Sequence, residues 1–221
     1  MIKLYPNNRI KTMQYIYLHG FASSPDSFKA KFFAKKMLEH GIELLIPDLN
    51  LNDFPNLTIS RQILTVKDLI KTNSPVTLFG SSMGAIISLI LAEEINNIEK
   101  LILLAPAIKI SQLWKDSTGE EKLIKWKQDN YVDIFHYGYN KNMHLNYKFY
   151  EDLLSHNDSI FNKTIPTLVF HGLHDKVVPV DFAREYAKQK SHIKYYELND
   201  DHSLNNNLDY IWQKILQFII I

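Results

Sequence analysis

Apolar residues in this chain gather in short, nearly unbroken runs, and between them lie longer stretches whose apolar positions recur at helical spacing. Residues 13–18, 42–46, 76–79, 100–104 and 193–198, together with the run that opens at Thr167, read as strands. Runs such as Leu101-Ile102-Leu103-Leu104 show no alternation with polar residues, the pattern of strands covered on both faces. Helices are predicted over 27–39, over 58–71 and from Ala85 to about Asn96. The first is led in by Ser23-Ser24-Pro25-Asp26, which supplies capping and first-turn chemistry, and is stopped at His40-Gly41. Strand and helix thus alternate at short spacing, which predicts an α/β fold: a mostly parallel central sheet flanked by helices and joined by right-handed crossovers.

The rhythm breaks between residues 108 and 162. This segment is polar and rich in aromatics, among them Trp114, Trp126, Tyr131, Phe135, Tyr137, Tyr139, Tyr147, Phe149 and Tyr150. Residues 131–138 read as extended or irregular and 146–155 as helical. The segment is taken as a small cap inserted into a single domain spanning 1–221, over the sheet edge where ligands bind in such folds. Its aromatics are expected chiefly to form a mini-core that holds the insert together, with some walling a substrate. His136, His144 and His156, scattered through it, are expected to be exposed, and Lys115, Lys122, Lys125 and Lys127 to form a solvated helix face. That basic face is also the candidate greeting site for an acidic or phosphate-bearing substrate such as a coenzyme A ester.

Composition narrows the function. Lys and Arg number 25 against 24 Asp and Glu, so no electrostatic case exists for nucleic acid or an anionic membrane. Cysteine is absent, which removes thiol nucleophiles, disulfides and thiolate metal sites and fits the cytoplasm. Residues 1–11 are polar and hold no apolar stretch of signal-peptide length; no run approaches a membrane span; and the closing Ile219-Ile220-Ile221 is expected to pack a terminal helix.

The chemistry is concentrated in Gly80-Ser81-Ser82-Met83-Gly84. This G-x-S-x-G follows a strand-like run and opens a helix-like one, the context in which the central serine stands proud on a sharp turn. Only Ser82 has glycine two residues away on both sides; Ser81 is the substitute. A serine hydroxyl needs a base. His202 in Asp200-Asp201-His202-Ser203 is the candidate, and Asp175 in the loop after the Thr167 strand is the candidate orienting acid, with Asp200 and Asp201 as rivals. The order Ser…Asp…His is that of the α/β-hydrolase arrangement. An oxyanion would be met by the N–H of Met83 and by that of Phe21 or, second, Ala22. Phe21, Ala22 and Ser81 are the candidate substrate contacts. His19 is read as a structural partner of its own loop; His171 and His174 have a spacing two metal ligands could use, but no third ligand is evident, so no metal and no cofactor is expected.

The chain resembles an α/β-hydrolase over nearly its whole length. Tyr17-Leu18-His19-Gly20-Phe21-Ala22-Ser23-Ser24-Pro25-Asp26-Ser27, then Lys29-Ala30, is similar to the small bacterial esterases of the YqiA type, as are Pro47-Asp48-Leu49, the Ser82 turn and Asp201-His202-Ser203-Leu204. The resemblance implies a cofactor-free serine hydrolase of carboxylic esters or thioesters, with Ser82 as nucleophile, Asp175 as acid and His202 as base. The segment 108–162 departs from the near-minimal core of those esterases. His171-Gly172-Leu173-His174-Asp175 is common through the wider superfamily, so substrate identity does not transfer. A peptidase or amidase on the same residues, or a binding protein that keeps only the fold, are the alternatives.

Overall fold

A computed structural model describes residues 13–156, 161–188 and 190–219; the polar N-terminal segment and the last two isoleucines lie outside them. The described residues begin with β1 (Gln14–Leu18), α1 (Phe28–Leu38), β2 (Leu44–Leu45), α2 (Ile59–Leu69), β3 (Val76–Ser81), α3 (Met83–Glu94) and β4 (Ile98–Leu104). A separate stretch follows: α4 (Ile110–Thr118), α5 (Glu120–Asp129), β5 (Tyr131–His136), β6 (Lys141–Asn146) and α6 (Lys148–Ser155). The chain then returns to the sheet with β7 (Thr167–Gly172), α7 (Val180–Ala187), β8 (Ile193–Leu198) and α8 (Leu208–Ile219). Among the described residues β2, β1, β3, β4, β7 and β8 form one sheet in that order, with every neighbouring pair parallel.

The unbroken apolar runs have a direct explanation. Along each central strand successive side chains enter different cores. Ile16 and Leu18 join the cluster under α2 and α3, whereas Tyr17 joins the one under α1 and α8. Leu78 and Phe79 divide the same way, as do Leu101 and Leu103 against Ile102 and Leu104. With helices on both faces, neither side of the strand can be polar without stranding a group away from water. α3 is the innermost helix, with Met83 through Ala92 all buried, which is why it has no polar face to give it helical periodicity.

Local signals set the element ends. Thr58 caps α2, accepting the Arg61 N–H at 3.1 Å. Gly41 (φ +70°) lets the Ile42 N–H turn back to Met37 O at 3.0 Å and closes α1. The start of α1 differs from expectation: the capping position is Ser27, and its hydroxyl makes no capping bond. β2 is also shorter than the expected 42–46, with two residues paired to β1.

The largest differences fall in the 108–162 stretch. Two amphipathic helices, α4 and α5, which the sequence reading did not place, precede an antiparallel hairpin; its first strand, β5, falls in the expected extended stretch 131–138, its partner β6 was not expected, and α6 falls in the expected helix 146–155. The hairpin buries one face: Val132 lies opposite Leu145 and Ile134 opposite Met143, while Tyr131 and Phe135 point outward. Trp114, Trp126, Tyr147, Phe149 and Tyr150 pack on one another as the expected mini-core, but it merges with the main core. Trp126, Phe149 and Tyr150 are continuous with the cluster beneath α2 and α3, and α6 packs on both α2 and α4. The four lysines expected to form a solvated face are exposed; Lys125 pairs with Asp129 at 2.6 Å and Lys127 lies over the Tyr147 ring. Among the described residues no helix is long and apolar enough to cross a membrane.

Candidate active site

The sheet order places a switch between β1 and β3: the chain leaves β1 for one edge and returns to β3 on the other side. A crevice at the carboxyl ends of the strands opens at such a point. The loop after β1 and the turn after β3 meet there, with Leu18 paired to Gly80 in register.

Ser82 occupies the turn between β3 and α3 with φ +54° and ψ −115°, a conformation costing a non-glycine residue about 1–3 kcal/mol. The surroundings enforce it. The Ser82 N–H is held by Leu104 O at 2.9 Å, and its carbonyl accepts from Ala85 and Ala107. Two glycines make the turn possible. A Cβ on Gly80 would collide with the backbone of Gly84 and Ala85, and one on Gly84 would enter the carbonyls of Leu18 and His19. The result presses α3 against the end of β1 and lifts the serine hydroxyl out of the sheet.

His202 and Asp175 arrive from the loops after β8 and β7. His202 Nε2 lies 3.1 Å from Ser82 Oγ, and His202 Nδ1 lies 2.7 Å from Asp175 Oδ2. An ionised carboxylate can only accept, so Nδ1 carries the proton and Nε2 turns a lone pair to the serine. The His202 ring is a quarter exposed, whereas the Asp175 carboxylate is fully buried. Burial alone would raise the Asp175 carboxyl. The hydrogen bonds from His171 and His202, with the backbone N–H of Val178, outweigh it and hold the group well below the usual carboxylate range. Oδ1 accepts the N–H groups of Val177 and Val178, each at 2.8 Å.

His171 is a residue the sequence reading did not assign to this group. It is fully buried, with Nε2 3.1 Å from Asp175 Oδ2 and 2.9 Å from Val178 O. Both neighbours are acceptors, so Nε2 carries the proton and Asp175 is held by two imidazoles. Its position four residues before Asp175, at a strand end, was the available signal. His174 turns outward to Asn199 Oδ1 at 2.7 Å. Among the described residues no group of three or more His, Asp or Glu is placed to hold a metal ion.

The rival carboxylates are engaged elsewhere. Asp200, buried, accepts from the Asp201 N–H, from the Asn206 N–H and amide and from the Asn207 amide. Asp201 accepts the N–H and hydroxyl of Ser203. Gly172 lets these turns pack, since a Cβ there would strike the carbonyls of Asp200 and Asp201. Ser81 is buried within β3, and His202 bonds its neighbour instead.

The loop after β1 lies against the serine: a Cβ on Gly20 would sit 3.3 Å from Ser82 Cβ. Among the described residues the N–H groups of Phe21 and Met83 donate to no other protein group. Ala22 is buried at φ +51°, and the Phe21 ring packs on Phe54, Trp114 and Phe149 at 5.1–5.6 Å between centroids. His19 does act within its own loop, donating from Nδ1 to Gly20 O and accepting the Leu49 N–H at Nε2. The 108–162 stretch reaches this loop directly. The Gly138 N–H donates to Ala22 O at 3.2 Å. His136, expected to be exposed, is fully buried and bonds Asn50 Oδ1 at 3.0 Å, and Asn50 Nδ2 donates to Ser23 O at 2.8 Å. His156 is also largely covered and lies 2.8 Å from Ser60 Oγ, while His144 is exposed as expected.

The backbone is that of the α/β-hydrolase fold. It is similar to Est1E from Butyrivibrio proteoclasticus, solved with ferulic acid bound, at a TM-score of 0.77 and 20% identity over 97% of this chain and 91% of that one. It is similar to the alpha/beta hydrolase domain-containing protein 10 from mouse at 0.75 and 18%, over 93% and 89%. The esterase Pf2001 from Pyrococcus furiosus aligns at 0.59 and 17%, over 96% and 83%. No curated protein matches the chain. Residues 14–219 match the family model described as "Uncharacterised protein family (UPF0227)", and the chain belongs to that family.

Proposed function

We propose that this protein is a serine hydrolase that cleaves carboxylic esters or thioesters of small to medium acyl groups. The observation that carries the reading is one connected line: Ser82 Oγ, 3.1 Å to His202 Nε2, then 2.7 Å from Nδ1 to a buried Asp175 that two imidazoles and two backbone N–H groups hold ionised. Such a line, with the serine on a strained turn at a helix start, is what an activated nucleophile requires.

In this reading His202 takes the Ser82 proton as Oγ attacks the acyl carbon. The negative oxygen that forms is met by the N–H groups of Met83 and Phe21. His202 returns the proton to the departing alkoxide or thiolate, leaving an acyl-serine. Water, deprotonated by the same imidazole, then releases the acid and regenerates Ser82. Asp175 keeps the imidazole in its tautomer and stabilises the imidazolium in both halves. Every proton passes through His202, so the reaction calls for no cofactor. The 108–162 segment caps the site, and the substrate is a small molecule met in the cytoplasm. The esterase and the ferulate-bound protein among the similar folds point the same way.

The test is intact mass after exposure to a fluorophosphonate. One adduct on the wild type and none on folded Ser82→Ala is the expected result. An unmodified, folded wild type overturns the reading. Paired panels of p-nitrophenyl esters, thioesters and aminoacyl anilides then set ester, thioester and amide preference.

A further inference from the structure

Lys29 stands where an ammonium is hard to keep. It is the second residue of α1, at the helix end whose dipole repels cations, and it is partly buried. A position that breaks a local rule this plainly marks a functional or strained site. Its Nζ is committed to one partner across 174 residues, donating to Ser203 O at 2.7 Å. Ser203 directly follows His202. The fields that favour its charge come from Asp175 in the loop after β7 and from Asp201 and Asp200 in the loop after β8. The other ion pairs of α1 lie away from this point: Lys31 pairs with Asp26, and Lys36 with Asp209 on α8.

We propose that Lys29 is a positioning residue that ties the His202 loop to α1, fixing the imidazole over Ser82 through the Ser203 carbonyl. The inference rests on the reading of Ser82, His202 and Asp175 as the reacting group. Two other anchors reach outside the loop, both to the loop after β7: Asp175 on His202 Nδ1 and the His174 N–H on Asp200 O; the rest are internal to it. Asp200 and Asp201 organise residues 200–207 among themselves, and the turn at Leu204 (φ +56°) is part of that unit. Lys29 joins this unit to α1, the helix that follows β1. It also sets a cation beside three carboxylates that would otherwise repel one another. Burial lowers the Lys29 ammonium to about 8, against the pull of Asp175, Asp201 and Asp200. Loss of this cation at alkaline pH would leave those carboxylates uncompensated and slacken the loop, so activity has an alkaline limb owed to Lys29.

The experiment measures kcat and KM of p-nitrophenyl ester hydrolysis from pH 6 to 10 for the wild type, Lys29→Met, Lys29→Arg and Ser82→Ala, with folding checked by circular dichroism. Expected for Lys29→Met is a fall in kcat on the order of ten- to a hundredfold with KM within about twofold, as when a reacting group is slightly misplaced, and loss of the limb near pH 8. Lys29→Arg keeps a cation that does not titrate in this range. It should recover most of the rate and carry the limb beyond pH 10. Folded Lys29→Met with wild-type kcat overturns the proposal, and so does Lys29→Arg with the limb unmoved, which decides the matter even if Lys29→Met does not fold. If Ser82→Ala retains hydrolysis, the underlying reading has failed; if Ser82→Ala is inert and both Lys29 variants behave as wild type, only the role of Lys29 has.

Discussion

The two flanks of Ser82 are built by different means. On the base side, side chains hold side chains: His171 and His202 grip Asp175, and Asp200 and Asp201 gather the residues around His202. These residues come from the end of β7 and from the loops that follow β7 and β8, so that flank is built chiefly by the sheet's own strand ends. On the other side, the loop after β1 is held mainly through its backbone carbonyls, and the donors come from elsewhere. Asn50 reaches Ser23 O, His136 from β5 supports Asn50, and Gly138 at the hairpin tip reaches Ala22 O. One flank is therefore set by the geometry of the core, and the other is only as firm as the segment docked on it. Damage to the first should remove chemistry and spare the fold; damage to the second should cost stability and chemistry together.

The largest effect expected is on the base side. Ser82→Ala and His202→Ala should each lower kcat by at least about 10⁴-fold, and the double variant by little more, because groups that act as a unit are not additive. Thermal midpoints should stay close to wild type, since neither side chain fills the core. Ester hydrolysis beside a thermal melt checks both halves. Additive losses in the double variant would mean that the two residues do not act on one step.

An intermediate effect is expected on the other side. Asn50 is nearly fully buried and bonded to Ser23 O, Asp48 and His136. Asn50→Ala leaves the His136 N–H and the Ser23 carbonyl without partners, which costs about 3 kcal/mol when buried groups are stranded. The urea midpoint should fall accordingly. The loop should lose its register, reducing kcat by roughly tenfold through a misplaced oxyanion donor. A variant that loses stability at full activity would uncouple the docked hairpin from the loop and break the contrast between flanks.

This contrast also explains what the sequence made legible. The strands could be read because burial on both faces leaves only apolar side chains, and Ser82, Asp175 and His202 because each sits in a short local pattern at a strand end. The hairpin could not. Tyr131 and Phe135 point outward, so β5 does not alternate as a half-buried strand should, and Met143 and Leu145 are the sole apolar residues of β6. His136 looks solvated in its polar stretch because the groups that bury and bond it, Phe54 and Asn50, lie more than eighty positions upstream. Lys29 is hidden in the same way: its partner follows 174 residues later. Local chemistry shows in the sequence, whereas support that comes from a distant segment does not.

The smallest effect, and the one that separates the flanks most finely, is their dependence on pH. Burial, with His19 nearby, lowers the His136 imidazole, so the folded protein prefers it neutral and the unfolded chain takes up its proton first. The stability this histidine contributes is therefore present above its unfolded pKa near 6.5 and declines as pH falls through that value toward the folded one. Its geometry agrees: Nδ1 accepts the Tyr139 N–H at 3.1 Å, a bond that a second ring proton would abolish. Asp175 behaves in the same sense but later. Its carboxyl is depressed by His171 and His202 despite burial, so its contribution is intact above an unfolded pKa of about 3.9 and is lost only as pH falls below it. Thermal midpoints between pH 7.5 and 3 should thus decline in two stages, first as the hairpin loosens from the loop after β1 and then as the Asp175 group is neutralised. His136→Phe should be less stable at neutral pH and should show a smaller first stage, the remainder belonging to His192, whose imidazole burial also lowers. Asp175→Asn should keep the first stage and flatten the second. A single decline below pH 4 in the wild type, unaltered by His136→Phe, would mean that the two flanks answer to acid as one body.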